Sequence, residues 1–246
     1  MTSAADQRRA PADVRTPETA QNQILAKLPA RELAEIMSHA EEVSVPLGQL
    51  LFEAGDSIER VYFPLTAMTS LVIVLADGTT IEALTVGREG FVGLPLVNRV
   101  GTARYKGICQ VEGKFLVLDA KVFVSIIDSL DDLKRRLLRY SQFSSEVMSQ
   151  SAACNGVHTV EQRCARWLLI TADATGTTEF RLTQEFLSQM LAVRRPGVTV
   201  AMGSLSRSAL ISAHYGRVKL LDVGGLKNRA CECYSAVRSK AEELLA

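Results

Sequence analysis

Residues Arg181–Ile211 read RLTQEFLSQMLAVRRPGVTVAMGSLSRSALI and hold two short amphipathic patterns separated by a break. Thr183 can cap the first helix, and Glu185 lies in its first turn, where the helix dipole favours a negative charge. Pro196 lacks an N–H group and has a fixed φ, so it suits the first helical position and moves Arg195 into the cap position. We therefore predict two helices joined by a tight turn, with the second beginning at Pro196.

The second predicted helix has one face for the core and one for a partner. Helical spacing turns Val198, Ala201, Met202 and Leu205 inward. The outward positions at its start are those that a recognition helix presents to the major groove of DNA. An arginine there can bond guanine O6 and N7 in bidentate fashion, and a second can neutralise a phosphate. The predicted DNA contacts are Arg194, Arg195, Pro196, Thr199, Val200 and Gly203, with Thr183 and Gln184 at the start of the first helix.

Taken alone, the two arginines also fit a solvated helix end, so the flanking segments matter. Residues 159–176, TVEQRCARWLLITADATG, predict a helix that stops at Gly176. Downstream, ISAHYGRVKLLD places Gly216 between two short β-rich runs, which favours a hairpin. Two helices, a turn, a third helix and a hairpin, in this order, are what a winged helix-turn-helix requires.

The upstream half has a different pattern. Residues 43–124 contain short β-rich runs such as VYFPL, SLVIVL and TIEALTV, separated by turn signals such as AGD and ADG. Regular short strands with Gly or Asp turns predict a compact antiparallel barrel or jelly roll. The predicted fold class is therefore α+β, with a flexible N-terminal lead (1–22), a jelly-roll domain (23–127), a long dimerisation helix (128–155) and a winged helix-turn-helix domain (156–246).

Apolar residues in the predicted long helix fall at spacings of three and four, which places them on one face. That face can form a seam against a second copy of the same helix. It can equally lie on the chain's own barrel. The residues of this face are Leu130, Leu133, Leu137, Tyr140 and Val147.

Charge is distributed unevenly along the 246 residues, although the net charge is only +1. Residues 156–246 hold 12 Lys and Arg against 8 Asp and Glu, whereas residues 1–155 hold 16 against 19. A basic C-terminal part favours an anionic partner. No apolar run approaches the roughly 20 residues needed to cross a bilayer, and the first residues lack the apolar stretch of a secretory signal. We expect a cytoplasmic protein that does not bind membranes.

The five cysteines, at 109, 154, 164, 231 and 233, lack the C-x-x-C spacing of a structural zinc site. Cys231 and Cys233 are the one close pair, and the three histidines are scattered. No metal site is therefore predicted. The sequence also lacks a Ser-His-Asp order, an H-E-x-x-H motif and a P-loop, so we expect no enzymatic activity.

From about residue 25 onward, the chain resembles the bacterial Crp/Fnr transcription regulators. The most specific match is LTQEFLSQMLAVRRPGVTVAMGSL followed by LISAHYGRVKLLD, and a weaker one is VPLGQLLFEAGDSIERVYFPLTAMTSLV. The resemblance implies a cyclic-nucleotide-binding-like jelly roll, a long dimer helix and a winged helix-turn-helix. It also implies a homodimer that binds a pseudo-palindromic operator in double-stranded DNA and contacts RNA polymerase.

The chain departs from the family pattern within the recognition helix. Arg195 falls where the family carries its principal guanine-reading arginine. Pro196 and Val200 stand where the family commonly has a glutamate and a second arginine. The resemblance therefore implies DNA binding with a different operator sequence.

The segment that matches the family's nucleotide pocket departs further. Gly93 is followed by Leu94, where cyclic-AMP-binding members carry a glutamate that holds the ribose. Gly101, Thr102 and Ala103 replace an Arg-Ser-Ala run that holds the cyclic phosphate, which removes a charge-assisted hydrogen bond. Arg99 or Arg104 could substitute with shifted geometry. We nevertheless expect no cyclic AMP binding and treat the pocket as degenerate.

Other cofactors of the family are not expected either. The oxygen-sensing members hold an iron–sulfur cluster on N-terminal cysteines, whereas the first cysteine here is Cys109. A haem would need a lone ligand such as His39 or His158. The leading hypothesis is a homodimeric, sequence-specific transcriptional regulator. The alternative is a small-molecule-sensing module whose C-terminal domain docks a protein partner.

Overall fold

The computed structural model describes residues 21–245. Near the start of this range, the side chain of Asn22 is buried against the barrel. The side-chain amide of Asn22 is fully buried and donates to the carbonyls of Pro64 and Gly90, both at 3.0 Å. Residues 1–20 of the predicted flexible lead, 1–22, lie outside the described residues. At the end of this lead, the amide of Asn22 satisfies two buried carbonyls of the barrel. A 3-10 turn at Leu25–Lys27 then leads into helix α1 (Ala30–His39).

Seven strands form the predicted jelly roll. They are β1 (Glu41–Val45), β2 (Leu50–Phe52), β3 (Arg60–Pro64), β4 (Met68–Val74), β5 (Thr80–Val86), β6 (Lys106–Val111) and β7 (Gly113–Asp119). One sheet has the order β1-β7-β3 and the other β2-β6-β4-β5, and all pairs are antiparallel. The core between them includes Phe63 and Phe123, whose rings lie 4.8 and 5.2 Å from that of Phe91. This confirms the predicted α+β class.

The long helix follows two short ones. Helix α2 (Leu94–Val97) lies between β5 and β6, and α3 (Ala120–Ile126) starts where Asp119 accepts hydrogen bonds from the backbone N–H groups of Lys121 and Val122. After a 3-10 turn at Ile127–Ser129, helix α4 covers Asp131–Val157. It begins and ends slightly later than the predicted 128–155 and continues through Gly156. The predicted domain boundaries themselves stay predictions.

The predicted seam residues of α4 face their own barrel. Leu130, Leu133, Leu137, Tyr140 and Val147 are each at most 7% exposed and belong to the barrel core within one chain. Of the two alternatives, the helix lying on its own barrel therefore describes this face, and its residues are not free to contact a second copy. The opposite face repeats the same spacing with exposed side chains. This outer stripe consists of Arg135, Leu138, Gln142, Ser145, Ser149 and Ala152.

The C-terminal part has the predicted order of elements. It consists of α5 (Val160–Thr175), β8 (Glu179–Arg181), α6 (Gln184–Met190), α7 (Arg195–Arg207), β9 (Ile211–His214), β10 (Arg217–Leu220), α8 (Val223–Arg229) and α9 (Cys233–Leu244). A capping box between Thr159 and Gln162 starts α5, and Gly176 ends it at φ +72°, a left-handed conformation that glycine adopts without strain. The three strands pair in the order β8-β10-β9.

Barrel and C-terminal part touch directly. Met68 of β4 and Val111 of β6 pack among the apolar side chains of the C-terminal helices. At the end of β5, Gly87 lies so close to Ala174 of α5 that a Cβ atom on Gly87 would fall 2.3 Å from the Ala174 Cβ. The next residue, Arg88, donates its backbone N–H to the Ala174 carbonyl at 3.0 Å. Among the described residues, no helix combines the length and apolarity needed to cross a bilayer.

Candidate nucleic-acid interface

The turn between α6 and α7 is closed by backbone hydrogen bonds. Ala192 adopts φ +50° and donates to the Gln189 carbonyl at 3.1 Å, while Val193 donates to the Ser188 carbonyl at 3.0 Å. This pair of bonds is a Schellman motif with Ala192 in the left-handed position, where glycine is the usual residue. The motif fixes the angle at which α7 leaves α6.

Helix α7 begins one residue earlier than predicted. Arg194 is the N-cap, with φ −68° and ψ 141°, while Arg195 and Pro196 are the first two helical residues. The prediction that α7 starts at Pro196 with Arg195 as its cap was therefore wrong. Backbone N–H groups throughout the first turn lack intrahelical acceptors, so proline is tolerated at the second position as well as at the first.

The two faces of α7 agree with the predicted division. The four inward residues, Val198, Ala201, Met202 and Leu205, are buried. Arg194, Arg195, Pro196, Thr199 and Val200 are exposed, and Gly203 is half-buried. Val200 is 69% exposed, which leaves an apolar side chain on the solvent side of a short helix.

The start of α6 lies against the start of α7. The hydroxyl of Thr199 donates to Gln184 Oε1 at 2.8 Å, so a side chain from each helix meets here. Thr183 is exposed, and its hydroxyl oxygen caps α6 by accepting from the Phe186 N–H at 3.1 Å. Thr183 and Gln184 thus lie beside the predicted contacts of α7, as the sequence indicated.

The positive charge at this helix start is uncompensated. In the part of the chain that the structure describes, neither Arg194 nor Arg195 forms a salt bridge. A cleft of about 360 Å³ separates α7 from the β9–β10 hairpin, and Thr183, Gln184 and Arg195 line one side of it. The cleft combines an unpaired guanidinium with polar groups, a set that suits an anionic ligand.

The hairpin supplies residues on the other side of the cleft that the sequence analysis missed. Its tip is Tyr215 and Gly216, with φ +48° and +72°, and Tyr215 is fully exposed. Arg217 follows and lies 3.8 Å from Glu179. The Gly216 turn signal predicted the hairpin, but no local pattern assigned Tyr215 or Arg217 to the same surface as α7.

A model of the Crp-like helix-turn-helix family matches residues 162–229. These residues form a Crp-like helix-turn-helix domain. The match starts in α5 and ends with α8, so it includes the turn, α7 and the hairpin. The Crp-like domain is therefore the C-terminal part whose exposed arginines are described above.

Solved structures with the same fold extend the similarity beyond this domain. A CRP-family transcriptional regulator from Thermus thermophilus is 20% identical, with a TM-score of 0.64 over 76% of this chain and 96% of that one. FixK2 from Bradyrhizobium japonicum is 15% identical, with a TM-score of 0.65 over 78% and 98%. The c-di-GMP-responsive regulator CLP from Xanthomonas campestris is 16% identical, with a TM-score of 0.61 over 78% and 99%.

These findings confirm the Crp/Fnr resemblance in the fold and in the Crp-like domain. At such low identities the structural neighbours establish the fold alone. No curated protein sequence matches the chain.

The predicted degenerate pocket is a cavity of about 330 Å³ between the barrel and α4. Gly93, Leu94 and Ala103 line it, whereas Gly101 and Thr102 do not. Of the two arginines considered as substitutes, Arg104 lies at the cavity and Arg99 instead forms a salt bridge with Asp128. Among the described residues that line the cavity, Arg104 is the one charged group.

A cluster of thiols lies where the end of α4 meets the start of α9, and the sequence analysis did not predict it. Cys154, His158, Cys231 and Cys233 place their sulfur and ring nitrogen atoms within 4.8 Å of one another. Burial raises the pKa of the Cys154 thiol and that of Cys231, the latter to about 12. The sequence predicts no metal site because these residues are far apart along the chain, and spacing alone cannot join them.

Proposed function

We propose that the protein is a DNA-binding transcriptional regulator that reads its operator with α7. The observation that carries this proposal is the exposed, unpaired Arg194–Arg195 pair at the start of α7, beside the hairpin of a Crp-like domain. Cationic side chains at the N-terminal end of a recognition helix meet phosphates and base edges when that helix enters the major groove. The hairpin then lies against the adjacent backbone.

Each exposed residue of α7 has a role in this proposal. Arg195 bonds a guanine edge, and Arg194, one residue outside the helix, meets a phosphate. Val200 offers an apolar surface to a thymine methyl group, a contact that an arginine or glutamate cannot make. Pro196 has no carboxylate or donor for a base, so the operator differs from those read by a Glu and a second Arg.

We further propose that two copies pair through the outer stripe of α4. Leu138, the one large apolar residue of the stripe, is 49% exposed and is flanked by Arg135 and Gln142 on the same face. Apolar residues at alternating spacings of three and four are suited to a two-helix seam, and Leu138 and Ala152 are the apolar residues of this stripe. Such a pair would present two recognition helices to successive major grooves about 34 Å apart, which requires a pseudo-palindromic operator.

Selection from a random pool of DNA by the purified protein, at physiological salt and without ligand, tests the proposal. Enrichment of a pseudo-palindrome is expected, and the Arg194→Ala, Arg195→Ala double variant is the control that should enrich nothing. Binding without any sequence preference contradicts the proposal. It would favour the alternative, in which the Crp-like domain docks a protein partner.

We also propose that regulation does not depend on cyclic AMP. The cavity holds one arginine, Arg104, which is exposed, and no carboxylate to hold a ribose. Cyclic AMP is therefore expected to leave the melting temperature unchanged. A rise that grows with ligand concentration would contradict this expectation, since a ligand that binds the folded state stabilises it. Differential scanning fluorimetry with cyclic AMP and, as control, AMP provides the measurement.

A further inference from the structure

We propose that Cys154, His158, Cys231 and Cys233 form a structural zinc site that joins the end of α4 to the start of α9. Cys154 lies in the last turn of α4 and His158 caps the helix, one turn later on the same side. Cys231 and Cys233 flank Glu232 at the start of α9. Three thiol sulfurs and one imidazole are a common ligand set of four-coordinate structural zinc.

Two of the distances within the cluster match the edges of a zinc tetrahedron, and the other pairs of ligand atoms lie within 4.8 Å of each other. Bonds of about 2.3 Å to sulfur and 2.0–2.1 Å to nitrogen give edges of about 3.8 Å between sulfurs and about 3.6 Å between sulfur and nitrogen. Cys154 Sγ lies 3.5 Å from Cys231 Sγ, and Cys233 Sγ lies 3.6 Å from His158 Nδ1. A disulfide would instead require about 2.05 Å between two sulfurs, and all five cysteines are free.

Neighbouring groups are arranged as they are around a bound metal. His158 Nε2 lies 3.1 Å from the carboxylate of Glu232, which fixes the tautomer that leaves Nδ1 free to bind a cation. The side-chain amide of Gln150 donates to Cys233 Sγ at 3.1 Å, a contact that stabilises a thiolate. Both contacts come from residues outside the four ligands.

Two buried arginines give an independent reason for negative charge at this place. Arg163 and Arg166 of α5 are 7% and 8% exposed. The Arg166 guanidinium interacts electrostatically with the Cys154 thiol, and that of Arg163 interacts with the thiols of Cys154 and Cys231. Within the described part of the chain, neither forms a salt bridge, and the Nε atom of each lacks a hydrogen-bond partner. Zn²⁺ with three thiolates carries one net negative charge, which these guanidinium groups would offset.

The proposed site has a mechanical role. The ligands come from the end of α4 and from the segment between α8 and α9, so zinc would tie the C-terminal helix α9 to the long helix beside the junction of α4 and α5. Binding would release the thiol protons, so zinc affinity should fall at low pH. This role is independent of DNA sequence preference.

Zinc content of the full-length protein, purified without chelator and freed of any affinity tag, is the first test. We expect about one zinc ion per chain by mass spectrometry and at least a tenfold lower content in Cys233→Ser. Cys164→Ala is the matched control, because Cys164 is fully buried outside the cluster. It should keep its zinc.

Two further measurements do not depend on a ligand variant that folds. Cobalt added to the chelated, reduced wild-type protein should give the visible bands of a tetrahedral thiolate site. Glu232→Gln changes an exposed residue and should weaken zinc affinity about tenfold in competition with a chelator, while zinc still binds. The proposal would be overturned if the reduced protein took up neither zinc nor cobalt. A disulfide between Cys154 and Cys231 in the protein as purified, before reduction, would also overturn it.

Discussion

Arg194 and Arg195 are neighbours in sequence but have different positions at the helix start. Arg194 is the cap and lies outside the helix, whereas Arg195 is the first helical residue and lines the cleft beside the hairpin. A side chain on the helix can follow it into a groove, while one at the cap meets the backbone at the groove edge. Replacing each arginine by alanine should therefore change DNA binding in a different way.

Arg195→Ala should relax base preference at one position of each half-site and cost about 1–3 kcal/mol on the preferred sequence. Arg194→Ala should weaken binding to all sequences alike and lower the slope of log affinity against log salt by about one. Fluorescence anisotropy on the selected operator and its single-base variants, at several salt concentrations, measures both effects. Equal loss of base preference in the two variants would contradict these roles.

In the turn between α6 and α7, the backbone of Ala192 is strained. Its φ of +50° is costly for a residue with a Cβ atom, and the Schellman position normally holds glycine. Ala192→Gly is therefore expected to raise the free energy of unfolding by about 0.5–1 kcal/mol. Urea unfolding measures the change.

Ala153→Gly is the matched control for this turn. Ala153 is exposed, as Ala192 is, and lies within α4 with a helical backbone, so glycine there should lower stability by about 1 kcal/mol. A loss of stability in Ala192→Gly comparable with that of the control would show that the left-handed turn carries no strain.

Helix α4 has a buried face and an exposed face, and residues on each follow spacings of three and four. Substitutions on the two faces should have different effects, one on folding and the other on dimer formation. Leu138→Arg changes the outer stripe and is expected to yield folded monomers, because a charge within a two-helix seam is repelled by the same charge on the second copy. Sedimentation velocity measures the mass, and circular dichroism verifies the fold. Arg139→Ala, an exposed neighbour off the stripe, should leave the dimer intact.

Leu133→Asp provides the contrast on the buried face. It places an unpaired carboxylate in the barrel core and should unfold the protein rather than dissociate it. A Leu138→Arg protein that sediments as an unchanged dimer would place the interface elsewhere.

Elements with a clear local signal were predictable from the sequence. The strands from β3 to β7, helix α5 and the hairpin follow from period, cap residues and glycine turns, and they were found within a few residues of the prediction. The inward face of α7 was correct for the same reason. The predicted start of α7 was wrong by one residue because proline is tolerated equally well at the first and at the second position of a helix.

Features that depend on long-range packing were not predictable. Leu133 and Leu137 have the spacing of a seam, but only the folded chain shows that the barrel covers them. The thiol cluster joins Cys154 with Cys231 across 77 positions, so no spacing rule could find it. The two local signals, the close pair Cys231 and Cys233 and the i, i+4 pair Cys154 and His158, each supply only two ligands.

At the scale of the whole molecule, an ionisable side chain of the barrel, Glu82, contacts the Crp-like domain. The half-buried Glu82 of β5 accepts from the Ser70 hydroxyl at 2.7 Å and from the Trp167 indole N–H at 3.2 Å. Burial raises the pKa of Glu82 to about 7, against the opposing effect of these hydrogen bonds and of the nearby Arg166. The carboxyl at the domain contact therefore holds its proton close to neutral pH.

The sign of the resulting pH dependence is fixed by this pKa. Between pH 4.5 and about 7 the folded chain keeps a proton on Glu82 that the unfolded chain has lost, so stability should fall as pH rises through this range. Glu82→Gln should flatten that part of the profile, measured as the urea midpoint at each pH. Glu243→Gln, an exposed glutamate, is the control. A Glu82→Gln profile as steep as the wild type would contradict the assignment.

The close approach of Gly87 to Ala174 has a consequence for modular engineering. A chimaera of this architecture would join one barrel to a different helix-turn-helix domain through the long helix. In this protein the barrel and the Crp-like domain also meet backbone to backbone, where a side chain on Gly87 would collide with Ala174. A transplanted helix-turn-helix domain would therefore need a residue as small as alanine near the end of its first helix, or the two domains would be forced apart.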